Sequence, residues 1–129
     1  MIAPDELAAL QQAVLAAVLG GQPLAGAGLP DLAMARHDGA VALADANLAP
    51  GVDLGSLPAP VRLTRAGDTV AHLAFRAPDE DPDGLGLTLE VRASPGGAAA
   101  SVPLSALRLR YVRRDAAWTL AAPPAQSSN

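Results

Sequence analysis

A strict alternation of apolar and polar residues between positions 85 and 92 most constrains the fold of this chain. Leucine or valine occupies every odd position, whereas glycine, threonine, glutamate and arginine occupy the even positions. This period of two predicts a β-strand with one face on a hydrophobic core and the other in polar surroundings. The chain therefore builds at least one sheet that is buried on a single side.

Other short segments with strand character, most of them after residue 61, are separated by turns rich in glycine, proline and aspartate. Because no helical pattern separates the later segments, we predict neighbouring antiparallel strands joined as a meander. About four to six strands are expected in one curved sheet. The segments with strand character are 41–45, 61–65, 70–77, 85–92, 102–104, 107–111 and 118–120.

The N-terminal segment predicts a helix that starts at Pro4. Proline is tolerated in the first turn of a helix, and the two acidic residues that follow it complement the helix dipole. Apolar residues then recur at helical spacing, Gln11 and Gln12 mark the wetter side, and the glycines at 20–21 end the helix. The predicted fold class is therefore α+β, with an N-terminal helix packed on a curved antiparallel sheet.

The length of 129 residues suits one domain, which we place at residues 1–122, followed by a flexible C-terminal tail at 123–129. The uncharged stretch 7–30 is interrupted by glutamine, glycine and proline, so we expect no membrane span. Because the first residues are acidic, they do not match a secretory signal. The predicted location is cytoplasmic.

Composition excludes several classes of site. The chain has no cysteine and no lysine, which removes disulfides, thiolate metal ligands, cysteine nucleophiles and Schiff-base lysines. A formal net charge of -4 and only 2% aromatic residues argue against a nucleic-acid partner, because such surfaces need basic patches and stacking platforms. No cofactor is expected, with calcium as the one exception.

The calcium alternative depends on the acidic segment 79–84. Asp79, Asp81 and Asp83 alternate, Gly84 follows them, and Glu90 stands at the spacing of the last ligand in a calcium-binding loop. Alternating carboxylates are able to converge on one cation. The flanking segments have strand periodicity, however, which favours a solvated hairpin turn at the same place.

A catalytic alternative depends on His72. Histidine titrates near neutrality, and His72 shares a predicted strand face with Arg76. If that face lined a pocket, an aspartate such as Asp45 would orient the imidazole for an isomerase or hydrolase. A partly exposed histidine on a sheet is the competing interpretation.

The only basic cluster lies near the C-terminal end of the chain. Arg108 and Arg110 fall on one face of a predicted strand, and two further arginines follow at 113–114. Arginine side chains bind carboxylates and phosphates through paired hydrogen bonds. We therefore take Arg108 and Arg110 as candidate ligand-binding residues, with a solvated sheet face as the alternative.

The order of elements resembles the nuclear transport factor two-like (cystatin-like) superfamily. The resemblance covers the N-terminal helix and residues 61–120, and it includes the ending LRYVRRDAAWTL at 109–120. It implies a cone-shaped sheet wrapped on a helix, which is often dimeric. It also implies a pocket that some members use for catalysis and others for binding.

These observations favour a small non-catalytic binding or interaction domain that self-associates. Only 17% of the residues are charged, so a small domain is expected to leave an apolar patch uncovered. We expect a homodimer, a protein partner or a small apolar ligand in a pocket. The His72 enzyme and the calcium-binding domain are the alternatives.

Overall fold

The structure is a computed structural model that describes residues 2–21, 35–64, 71–93, 102–115 and 117–121. These residues include one α-helix, a 3-10 turn at Leu54–Ser56 and eight strands. The helix and strands are α1 (Pro4–Leu19), β1 (Arg36–His37), β2 (Ala40–Ala44), β3 (Val61–Thr64), β4 (His72–Phe75), β5 (Asp79–Asp81), β6 (Gly84–Ala93), β7 (Val102–Arg114) and β8 (Ala117–Leu120). The predicted tail 123–129 lies outside the described residues, and the domain boundary at 122 stays a prediction.

The α+β class is confirmed, because one helix packs against a strongly curved sheet. Strands β1, β2, β4, β6, β7 and β8 follow one another across the sheet, while β3 pairs with β2 and β5 pairs with β6. The sheet therefore has more strands than the four to six expected. The segments 102–104 and 107–111 belong to one continuous strand, β7.

The sheet is mixed, which corrects the prediction of an antiparallel meander. β2 pairs in parallel with both β3 and β4, whereas the pairs from β4 to β8 are antiparallel. The loop 45–60 carries the chain back to the start of β2, where the Val41 N–H donates to the Pro60 carbonyl oxygen over 2.9 Å. This loop is long enough to return the chain for parallel pairing, which short hairpin turns cannot do.

The helix starts and ends where the sequence predicts, and ionic contacts tie its first turn to the sheet. The Glu6 carboxylate accepts a hydrogen bond from the Ala3 N–H at 3.1 Å and lies 3.3 Å from an Arg113 guanidinium nitrogen. That guanidinium also stacks over the Trp118 ring at 4.6 Å from its centroid. The start of α1 is therefore held against the β7–β8 hairpin.

One face of the sheet and one side of α1 enclose the core. Because side chains alternate along a strand, the odd-numbered residues of β6 all project to the helix side, and all of them are buried. The residues that form this core with them include Val14, Leu15, Val18, Leu43, Leu73, Phe75, Leu107, Leu109 and Tyr111. The even-numbered residues of β6 therefore lie on the opposite, polar face.

Gln11 is fully buried, although its polarity predicts the wetter side of the helix. Its side-chain amide donates to the Asn47 carbonyl oxygen at 2.7 Å and accepts from the Ala49 N–H at 2.8 Å. These two bonds satisfy backbone groups of the loop that leads from β2 to β3, which a buried apolar residue could not do. Gln11 therefore anchors the loop that makes parallel pairing possible.

Within the described ranges, no helix has the length and apolar character that crossing a bilayer requires.

Candidate functional site

The polar face of the sheet aligns three side chains across three neighbouring segments. Thr88 on β6 has Arg108 on β7 as its cross-strand partner. On the other side, the Arg76 N–H donates to the Thr88 carbonyl oxygen over 3.0 Å. Because directly opposed residues in antiparallel strands share a face, Arg76 and Arg108 flank Thr88.

A cleft of about 580 Å³ opens at this row, and Arg76, Thr88 and Arg108 line it. Gly86 lies below it and leaves room, because glycine has no side chain. Asp79 and the residues just before it form one wall. The volume falls in the range of pockets that bind small molecules.

A buried carboxylate sets the charge next to this cleft. Glu90 is almost completely buried, and its Oε1 accepts a hydrogen bond from Arg92 at 2.8 Å. The nearest Arg76 nitrogen lies 3.7 Å from the other carboxylate oxygen. Since the closer partner is Arg92, the Arg76 guanidinium keeps most of its capacity to donate, and its side chain is 64% exposed.

Arg110, the second predicted ligand-binding arginine, is bound by a carboxylate of the chain itself. Its two terminal nitrogens each lie 2.7 Å from one oxygen of Asp81. One of those oxygens also accepts the N–H groups of Asp83 and Gly84 at 2.9 Å. The two arginines therefore have different surroundings: Arg110 binds the hairpin turn through Asp81, whereas Arg108 lines the cleft.

The Arg110 hydrogen bonds lower the pKa of Asp81 from 3.8 to about 2. A carboxyl whose pKa falls on folding stabilises the fold above its unfolded pKa and loses that contribution as the pH drops. The free energy of unfolding should therefore fall between about pH 4 and pH 2. In Asp81→Asn, chemical denaturation should give a smaller fall over that interval. Asp83→Asn, which keeps the Arg110 pair, should behave like the wild type, and equal pH slopes for all three proteins would contradict the assignment.

The geometry does not assemble the full ligand set of the calcium alternative. Asp81 is paired with Arg110, and Glu90 stands six residues along β6 from Gly84. Six strand residues span about 20 Å, so Glu90 is unable to fold back onto the turn. In the described part of the chain, no three carboxylates or histidines group as metal ligands. Calcium binding through Asp79, Asp81 and Asp83 stays a prediction.

The two residues of the catalytic alternative lie apart. His72 is fully buried on β4, whereas Asp45 is exposed just after β2. The parallel register pairs Leu43 with Leu73, so Asp45 is level with residue 75 of β4. Residue 75 is three residues from His72, which is about 10 Å along the strand. Their side chains also project to opposite faces. The structure therefore does not bring this pair within hydrogen-bond reach.

The second feature of the candidate site is a strand edge on β7. β7 has 13 residues, and β8 pairs with only Tyr111–Arg114. Within the described ranges, no strand pairs with the other side of residues 102–109, which we call the open edge. Val102 and Leu104 on it are 42% and 45% exposed.

Reasoning from the sequence found Arg108 but missed Arg76 and the open edge as site features. Arg76 carries no local signal, because only the sheet register places it across Thr88 from Arg108. The open edge is the difference in length between β7 and β8, and the apolar residues at 102–104 are its only sequence signal.

Comparison of the chain with protein-family models, with curated proteins and with solved structures finds no match. The resemblance to the nuclear transport factor two-like superfamily therefore stays a prediction.

Proposed function

We propose that this protein is a non-catalytic interaction domain that forms a homodimer by pairing the open edge of β7 with the same edge of a second copy. The observation that carries the proposal is the edge at residues 102–109, which pairs with β6 on one side and with no strand of the described residues on the other. Unpaired strand edges bind other strands through main-chain hydrogen bonds. The second copy would extend one sheet through both molecules.

The side chains of the open edge support pairing. Natural proteins protect exposed edges with charges, prolines and bulges. On this edge the proline and the register shift lie only at its start, at 103–104, and Arg108 is the only charged residue between 102 and 109. Two of the large exposed hydrophobic residues, Val102 and Leu104, lie on this edge. Burying them removes apolar surface from water, which favours association.

The backbone direction gives the register. The Arg110 carbonyl oxygen accepts the Ala121 N–H on the β8 side of β7. Because the backbone N–H and C=O groups of every second residue in a strand point to the same side, those of Ala106 and Arg108 also point to the β8 side, where the open edge lies. A two-fold axis at Ala106 then sets this small residue opposite its own copy. It also sets Arg108 across from Leu104, the residue that the register shift between β6 and β7 leaves without a partner on β6, so no like charges face each other.

The test uses this register. One chain has a mass of 12.9 kDa. Size-exclusion chromatography with light scattering should give twice that mass. Ala106→Lys and Ala106→Glu, which oppose like charges across the axis, should each be monomeric. An equal mixture of the two variants should restore the dimer mass, because opposite charges then face each other.

Leu63→Lys is the matched control, since Leu63 is an exposed leucine on a different strand, β3. It should leave the dimer intact. A wild-type monomer at high concentration, or an Ala106→Lys dimer as stable as the wild type, would overturn the proposal.

A small apolar ligand is a second candidate, favoured by a shallow cleft of about 420 Å³ in the loop before β3. Leucine, proline, alanine and valine line it, with one glycine. A different protein partner at the open edge, the enzyme that uses His72, the calcium alternative, the exclusion of nucleic acid and the cytoplasmic location stay predictions.

A further inference from the structure

We infer that the cleft between Arg76 and Arg108 binds a small organic acid through its carboxylate. Three observations point there: the position of two arginines on either side of one hydroxyl, the local charge, and the apolar wall. None of them requires a dimer: edge pairing uses the backbone groups of Arg108, whereas the cleft uses its side chain, and Arg76 lies outside the open edge.

The two arginines converge on one place. Arg76 and Arg108 are the neighbours of Thr88 on its two sides, so their Cα atoms stand about 10 Å apart with the Thr88 hydroxyl between them. Long guanidinium side chains at that separation can reach the same oxygen pair. Arginine binds carboxylates in this way through paired hydrogen bonds.

The charge at the cleft is opposite in sign to the net charge of the whole protein. The chain carries a formal net charge of -4. At the cleft, however, Glu90 offsets Arg92 at 2.8 Å, and Asp81 offsets Arg110 at 2.7 Å. Arg108 makes no ion pair with any residue of the described ranges. With Arg76, Arg108 and Asp79 remaining, the cleft keeps about one positive charge, which suits a singly charged carboxylate better than a doubly charged phosphate.

The cleft also has space and apolar surface for the carbon skeleton of an acid. Gly86 lines the bottom of the cleft and has no side chain to fill it. A Cβ at this position would lie 3.6 Å from the Asp79 Cβ. Ala77 and Pro78 line the wall beside it. A ligand with a carboxylate at one end and an apolar group at the other therefore fits this chemistry.

The experiment uses sodium benzoate as the probe. Addition of benzoate to the ¹⁵N-labelled protein at constant ionic strength should shift the amide resonances of Gly86, Thr88 and Arg108 with a saturable curve. Arg76→Gln and Arg108→Gln should each raise the Kd about tenfold or more, because each loses a charge-assisted hydrogen bond.

Arg62→Gln is the matched control, since Arg62 is an exposed arginine on β3, away from the cleft. It should leave the Kd unchanged, and the amide spectra will show that all three variants are folded. Shifts that chloride reproduces, or cleft variants that bind benzoate like the wild type, would overturn the inference. Inorganic phosphate that binds more tightly than benzoate would overturn the assignment to a carboxylate.

Discussion

Replacing Leu73 with alanine should lower the free energy of unfolding by about 2–5 kcal/mol, the usual cost of a large-to-small change in a packed core. Leu73 is fully buried on β4, where it lies directly opposite Leu43 of β2. The substitution removes buried methyl groups and leaves a cavity that the sheet fills only in part. Denaturant titration followed by circular dichroism measures the loss.

Leu63→Ala provides a matched comparison. Leu63 also lies opposite Leu43, on the other side of β2, but its side chain is 48% exposed. Its replacement should change the free energy of unfolding by less than about 0.5 kcal/mol. Equal losses for Leu73→Ala and Leu63→Ala would contradict the position of the core under α1.

Gly84→Ala should lower the free energy of unfolding by about 1–3 kcal/mol, because the added methyl group has no room. A Cβ at position 84 would overlap the backbone carbonyl oxygen of Tyr111 and would lie 3.2 Å from the Arg110 guanidinium. Backbone cannot move aside as a flexible side chain does. The start of β6 would therefore have to separate from β7.

Gly86→Ala, two residues further along the same strand, is the control. Its Cβ would meet the Asp79 Cβ at an ordinary 3.6 Å. The reduced freedom of the unfolded chain then predicts a gain of about 0.4–1 kcal/mol. The two substitutions should differ in sign in the same denaturation assay, and a stable Gly84→Ala protein would show that β6 and β7 do not approach as closely as they do here.

Much of the fold follows from local pattern. The period of two at 85–92 predicts β6 and its buried face, and the helical spacing after Pro4 predicts α1 to its last residue. The parallel pairing of β2 with β3 and β4 is not predictable in this way. It depends on how the loop 45–60 packs against Gln11, which is a contact between distant parts of the chain.

The candidate site divides in the same manner. Arg108 and Arg110 share a strand face, as their spacing predicts, yet only one of them faces the cleft. The ion pair between Arg110 and Asp81 joins residues 29 positions apart in the sequence. Arg76 enters the site by register, although its sequence neighbours give no sign of a role.

By itself, the sequence determined the apolar faces of α1 and β6, because the period of side chains along neighbouring residues sets which of them share a face. The tertiary structure decided which residues stand opposite one another. Leu63 and Leu73 are the same residue type in similar strands, and only their places in the sheet make one exposed and the other buried. Register is a property of the whole sheet, since each strand is aligned by all of its contacts together and not by its own residues.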